Sequence, residues 1–148
     1  MTMPRPGASA PDRPTLCPSA DPSWPDARLI GVVGGTVDEP RITYVPPRPV
    51  TPDLLALARP VTPGEVFRFS ARCRESGCRH FRGDRCGVAM AVVAHLTPEG
   101  EPGALPLCTI RRECRWWAEH GPAACRRCAS VVTDDPVRPK ALEDALRV

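Results

Sequence analysis

A chain of 148 residues with 25% charged residues and a formal net charge of +3 is one domain by size, and no stretch approaches the run of about 18 apolar residues that a membrane span needs. Proline at 20 and cysteine at 8 depart most from an ordinary composition. The first limits how much of the chain can be regular, and the second leaves two classes open, a disulfide scaffold or a metal site.

The first 26 residues hold seven of the prolines, mixed with Ser, Asp, Ala and Gly. Such a segment supports neither a strand ladder nor a helix, and residues 1–26 are predicted to be a disordered, Pro-rich tail. Cys17 lies inside it and is not expected to be a ligand, since ordering a tail costs about 1–2 kcal/mol per residue. The same segment has no apolar run of the kind that forms a signal-peptide core. The expected location is therefore the cytoplasm, where thiols stay reduced, and that favours metal over disulfides.

Residues 27–69 are predicted to form a β-hairpin and short-helix scaffold. Residues 28–33 and 41–45 are β-branched runs separated by Gly34-Gly35 and followed by Pro46-Pro47, the pattern of a hairpin. Thr51-Pro52 and Thr62-Pro63 each supply a cap and a proline for a first helical turn, and Glu65 completes a capping box with Thr62. Val66-Phe67-Arg68-Phe69 alternates like a short strand leading to Cys73.

Residues 70–133 carry seven cysteines, spaced C-x4-C-x7-C and then, after a gap, C-x5-C-x10-C-x2-C. Cys73, Cys78, Cys86, Cys108, Cys114, Cys125 and Cys128 are the candidate metal ligands. In the first group, Ser76-Gly77 and Gly83-Asp84 are turn formers that allow three sulfurs to meet, and His80 could supply a fourth donor. His95 is a poorer candidate, because on a helix over 87–96 it lies about 180° around and about 13 Å along from Cys86. The second group is a four-thiolate set by itself. Residues 110–119 are predicted to be a helix ended at His120-Gly121. Pro122 opens another, on which Cys125 and Cys128 stand at i and i+3 on one face.

Thiolates are soft ligands suited to zinc or iron–sulfur centres. Zinc modules draw their ligands in tight pairs, and only Cys125 with Cys128 has that spacing. A cubane is approached from several sides, which suits the irregular spacings, so the expected cofactor is an iron–sulfur cluster of the 4Fe-4S type, with zinc as the alternative. Neither the C-x2-C-x2-C-x3-C run of bacterial ferredoxins nor the C-x3-C-x2-C run associated with radical chemistry occurs.

Residues 68–128 hold 11 Arg and no Lys against 6 acidic residues. Arginine fits a role offsetting thiolate charge through hydrogen bonds to sulfur, with Arg112 and Arg126 named for it. The competing reading is a nucleic-acid surface, with Arg111, Arg112, Arg115, Arg126 and Arg127 on phosphates and Trp116 and Trp117 stacking on bases. Residues 131–133 read as a last strand or a frayed helix end. Residues 134–148 are predicted to end the chain in a helix with Leu142, Ala145 and Leu146 on one side.

There is no glycine-rich phosphate loop and no Ser, His and Asp set at a catalytic spacing, so the chain is not expected to be an enzyme by itself. The sequence predicts an α+β fold, a small irregular metal-stabilised domain with a short β-hairpin and three or four short helices around a cysteine-ligated centre. Electron transfer or redox sensing with a redox or regulatory protein partner is the expected function. The alternative is a zinc-stabilised module that binds protein or nucleic acid.

Overall fold

In the computed structural model, which describes residues 15–100 and 103–147, the chain is of mixed α+β type. Four strands, β1 (Leu16–Cys17), β2 (Arg28–Gly35), β3 (Pro40–Pro49) and β4 (Phe67–Arg72), form an antiparallel sheet in the order β1-β4-β2-β3. The expected hairpin is the β2–β3 pair, and in its turn Thr36 Oγ1 accepts from the Glu39 backbone N–H at 3.0 Å. β4 runs between β1 and β2. Both of its edges are paired, and Phe67 through Ala71 are all buried, so both of its faces are covered as well.

On one face of β4, Phe67 and Phe69 pack edge to face with ring centroids 6.1 Å apart. They form a core with Leu29 and Ala58, closed by Leu54 and Leu55 of α1 (Pro52–Ala56) and Val66 of α2 (Pro63–Val66). Both helices begin at their predicted caps. Thr51 Oγ1 accepts from Leu54 N–H at 3.1 Å, and Thr62 with Glu65 makes the capping box.

The other face of β4 carries Arg68 and Ser70, both buried, and receives the cysteine-bearing half of the chain. That half begins with a small hairpin, β5 (Phe81–Arg82) and β6 (Arg85–Cys86), followed by α3 (Gly87–His95). It continues through a 3-10 turn at Arg111–Glu113 into α4 (Arg115–His120), α5 (Pro122–Cys128) and α6 (Lys140–Leu146). Ala89, Val92, Cys114, Trp116, Ala124, Val131 and Leu142 make its core. Two backbone links tie it to the sheet: Ile42 N–H donates to Ala129 O at 2.7 Å, and Leu16 bridges to Cys114.

The structure differs from the sequence expectation in four places. The helix expected over 110–119 breaks at Cys114, whose backbone is extended (φ −75, ψ 128) because it reaches across to Leu16. Gly121 then ends α4 and starts α5 with a positive φ of 59, a conformation that glycine adopts without strain. Val131 and Val132 are buried but belong to no strand or helix. The tail expected over 1–26 is placed from residue 15 onward: Ala20 N–H donates to Phe69 O at 2.9 Å, and Ser19 and Thr133 share a hydroxyl hydrogen bond of 2.6 Å. Residues 1–14 lie outside the described residues. The helices number six among the described residues, against three or four expected. None of those helices is long and apolar enough to cross a membrane.

Arg68 has space because its cross-strand partner is Gly31. A Cβ at Gly31 would lie 2.7 Å from Ile42 Cγ2 and 3.5 Å from the Arg68 Cβ. Gly31→Ala is therefore expected to destabilise the protein by about 1–3 kcal/mol, the usual cost of overpacking. Urea denaturation of the two proteins measures it.

Candidate metal centre

Cys108, Cys114, Cys125 and Cys128 come together under the sheet. Their residues line one small cavity with Pro18, Tyr44, Arg111 and Trp116. Cys114 is within electrostatic reach of Cys128 and Cys125, and Cys108 and Cys125 are each within reach of Cys128. Cys125 and Cys128 are carried by α5 at the predicted i, i+3 spacing, Cys114 by the break before α4, and Cys108 by the irregular segment before the 3-10 turn. The cavity measures about 20 Å³, enough for about one water-sized particle. Among the described residues, no three His, Cys, Asp or Glu side chains stand where one metal ion could be held by them. The set has the kind and number of donors that a cluster or a zinc ion takes. Its sulfurs are not closed on one ion.

The surroundings of Cys128 are unusual. Arg68, 0% exposed, donates from Nη2 to Cys128 Sγ at 3.2 Å, from Nη1 to Cys128 O at 2.9 Å and Val131 O at 2.8 Å, and from Nε to Pro18 O at 2.9 Å. The Tyr44 hydroxyl donates to the same sulfur at 2.9 Å. Among the described residues no carboxylate pairs with Arg68, so its acceptors are three neutral carbonyls and one sulfur. Burial works against the guanidinium charge, yet Cys128, Tyr44 and Cys17 around it raise its pKa above the ordinary arginine value. Burial, with Cys128 beside it, also pushes the Tyr44 phenol up. Arg111 lines the same cavity, holds the Pro106 carbonyl, and has a buried Nε without a hydrogen-bond partner among the described residues.

Cys73, Cys78 and Cys86, the other predicted ligands, line a separate wide cleft together with Cys17. Arg115 donates from Nε to Cys73 Sγ at 3.1 Å and from Nη1 to Glu119 at 3.1 Å. Glu119 in turn accepts from the Cys86 backbone N–H at 3.0 Å. Trp116, 2% exposed, lines both this cleft and the cavity of the second set, with the Arg68 guanidinium 5.8 Å from its ring centroid.

His80 has a buried Nδ1 with no partner among the described residues. Burial and the charges of Arg79, Arg82 and Arg138 hold its pKa below the usual histidine value. His95 is exposed at the end of α3.

The arginines that meet sulfur differ from those named on sequence grounds. Arg112 is exposed, and Arg126 donates to Gly100 O at 3.2 Å. Arg68 and Arg115 are the ones that donate to sulfur, on Cys128 and Cys73. The other signals that sequence reasoning missed are Tyr44, Glu119 and Cys17. Only Arg68 left a trace, as a charge set between two phenylalanines in a strand. The proposed base-stacking role does not suit Trp116, which is buried, while Arg127 is engaged with Leu96 O and Ala123 O at 2.8 and 2.7 Å. The chain matches no protein-family model, and comparison with curated proteins and with solved structures finds no significant similarity.

Burial raises the pKa of Cys17 to about 12, and it also raises Cys86, Cys108, Cys114 and Cys125 above the ordinary thiol value. Without metal these groups therefore favour a fold with neutral thiols. That contribution is complete below pH 9 and is lost as the pH rises through the raised values. Metal binding releases protons from thiols, so metal affinity should rise with pH. Chemical denaturation of chelated protein between pH 8 and about 11 is expected to show falling stability, and metal titration below pH 9 is expected to show tightening affinity.

Proposed function

We propose that this chain is a small iron–sulfur protein that carries electrons between protein partners or senses redox state, with Cys108, Cys114, Cys125 and Cys128 holding the cluster. The observation that carries this reading is the buried Arg68. A guanidinium out of water costs several kcal/mol unless a charge answers it, and among the described residues the only group in hydrogen-bond contact that could carry one is the Cys128 sulfur. A metal-bound thiolate supplies a fixed negative charge there, whereas a neutral thiol leaves the arginine unanswered.

Iron–sulfur is preferred to zinc because the four sulfurs come from three separate backbone segments with one close pair. The donors to sulfur are also of the kind that sets cluster potential. Held by these four cysteines, such a cluster would supply one-electron transfer between a reduced and an oxidised partner, with no atom transferred. The residues of this chain then have defined tasks: the cysteines ligate, Arg68 and Tyr44 donate to Cys128, and Trp116 with Ala124 keeps water from the apolar side. Zinc on the same four thiolates, in a module that binds protein or nucleic acid, is the second reading.

Anaerobically purified protein is expected to be brown, to contain iron and acid-labile sulfide, and to bleach with dithionite. Colourless protein with stoichiometric zinc would exclude the cluster. Arg68→Met, similar in volume and uncharged, should cost the metal-loaded protein about 3–5 kcal/mol, as removal of one partner of a buried pair does. Arg112→Gln, on the surface, should stay within about 0.5 kcal/mol of the parent. Thermal denaturation of both variants under anaerobic conditions checks the contrast.

A further inference from the structure

We infer that Arg79, His80, Arg82 and Arg138 form a binding site for the phosphate group of a small phosphorylated ligand, in the wide cleft beside the β5–β6 hairpin. Arg79, His80 and Arg138 line that cleft, whereas Cys108, Cys114, Cys125 and Cys128 line the other cavity. The site therefore does not depend on the metal reading above.

The arginines of the cleft fall into two kinds. Arg41 pairs with Glu99 at 3.3 Å, Arg74 with Asp26 at 2.7 Å and Arg147 with Asp144 at 3.6 Å. Arg79 and Arg138 line the same cleft, yet among the described residues neither makes an ion pair, and Arg82 makes none either.

These three unpaired guanidinium groups stand around His80. They are the charges that act on its ring, and among the described residues no carboxylate does. Arg79, His80 and Arg82 belong to the hairpin and its approach, while Arg138 comes from the segment before α6, so two distant parts of the chain bring like charges together. Arg138 is held there by donating from Nη2 to Thr133 O at 3.0 Å. Asp134 lies within its electrostatic reach but forms no ion pair with it.

The hairpin is built against its own charge. Arg82 and Arg85 are cross-strand partners, and like charges directly opposite one another destabilise a strand pair. Arg85 donates from Nη2 to Glu119 O at 3.4 Å, whereas Arg82 donates from Nη1 to Arg79 O at 3.0 Å. The second bond turns the Arg82 guanidinium back towards Arg79 and His80. Gly87 N–H donates to His80 O at 2.8 Å and fixes the backbone there. The His80 side chain has no partner at Nδ1 among the described residues.

Gathering unpaired cations costs Coulomb energy, which an anion placed among them recovers. A phosphate monoester carries about two negative charges near neutral pH, and its terminal oxygens accept the paired N–H bonds of an arginine fork. A neutral imidazole adds a directional donor. A single carboxylate would answer one guanidinium and leave the others. A concave site suits a small molecule, which favours such a ligand over a nucleic-acid strand.

Calorimetric titration of the full-length protein, as purified and in phosphate-free buffer, tests the site with inorganic phosphate and with glycerol phosphate. Wild type is expected to bind both saturably. Arg79→Gln and Arg138→Gln are each expected to weaken binding about tenfold, as loss of a charge-assisted hydrogen bond does. Arg48→Gln, an exposed change on β3 outside the cleft, should leave it unchanged.

No saturable binding by wild type at millimolar phosphate would overturn the site. Wild-type affinity in both cleft variants would overturn it too, as would equal weakening by all three changes, the mark of general charge. Binding of a single-stranded oligonucleotide without binding of either phosphate would overturn it in favour of a nucleic-acid surface. Should Arg138→Gln fail to fold, Arg79→Gln decides the matter, because the exposed Arg79 side chain makes no hydrogen bond among the described residues.

Discussion

Arg68 is a fully buried cation on an inner strand of the sheet, and segments on either side of β4 in the chain supply the groups that answer it. Its three carbonyl acceptors, on Pro18, Cys128 and Val131, come from the segment after β1, the end of α5 and the segment beyond it. One side chain therefore fixes the amino-terminal segment and the cysteine-bearing helices against the same strand. Gly31 opposite, without a side chain, leaves the room that the arginine needs. Because a guanidinium cannot shed its proton in a protein, the charge itself has to be met. The Cys128 sulfur, with Tyr44 donating to it as well, is where a negative charge fits.

That constraint bears on how the helical half holds together. Its helices run from 6 to 9 residues, shorter than the length at which isolated helices persist in water. Its core is built mostly of alanine, valine and cysteine, with Trp116 as the large side chain fully buried. Such a core contributes little burial per residue, and a domain in that position commonly draws folding free energy from bound metal. Trp116 lies between the two cysteine groups and under Arg68. Trp116 thus borders both cavities while carrying the Arg68 guanidinium over its ring.

Much of this organisation was legible in the sequence where local chemistry decides it. The glycine pair and β-branched runs gave the hairpin, Thr51 and Thr62 marked two helix starts, and Pro122 with the C-x2-C pair placed α5 and both its thiols. What could not be read depends on contacts distant in sequence. Cys17 resembles a tail cysteine until β1 pairs with β4, which sets it opposite Ala71, 54 residues on. Arg68 resembles a surface residue of a half-exposed strand until β1 covers one edge of β4 and the helices cover its face. Cys114 breaks a helix that its neighbours favour, because its backbone reaches Leu16. The arginines that donate to sulfur, Arg68 and Arg115, are not the ones named from the sequence, since charge density along the chain does not say which guanidinium faces inward.

Iron K-edge X-ray absorption on anaerobically purified full-length protein tests the central claim most directly, because it reports the ligand atoms and the nuclearity of the centre together. Arg68 answering a cluster-bound thiolate predicts a first shell of sulfur alone at about 2.3 Å, the length of a metal–thiolate bond, with a second iron close by. Iron coordinated by oxygen or nitrogen, or purified protein with no bound iron, would contradict it.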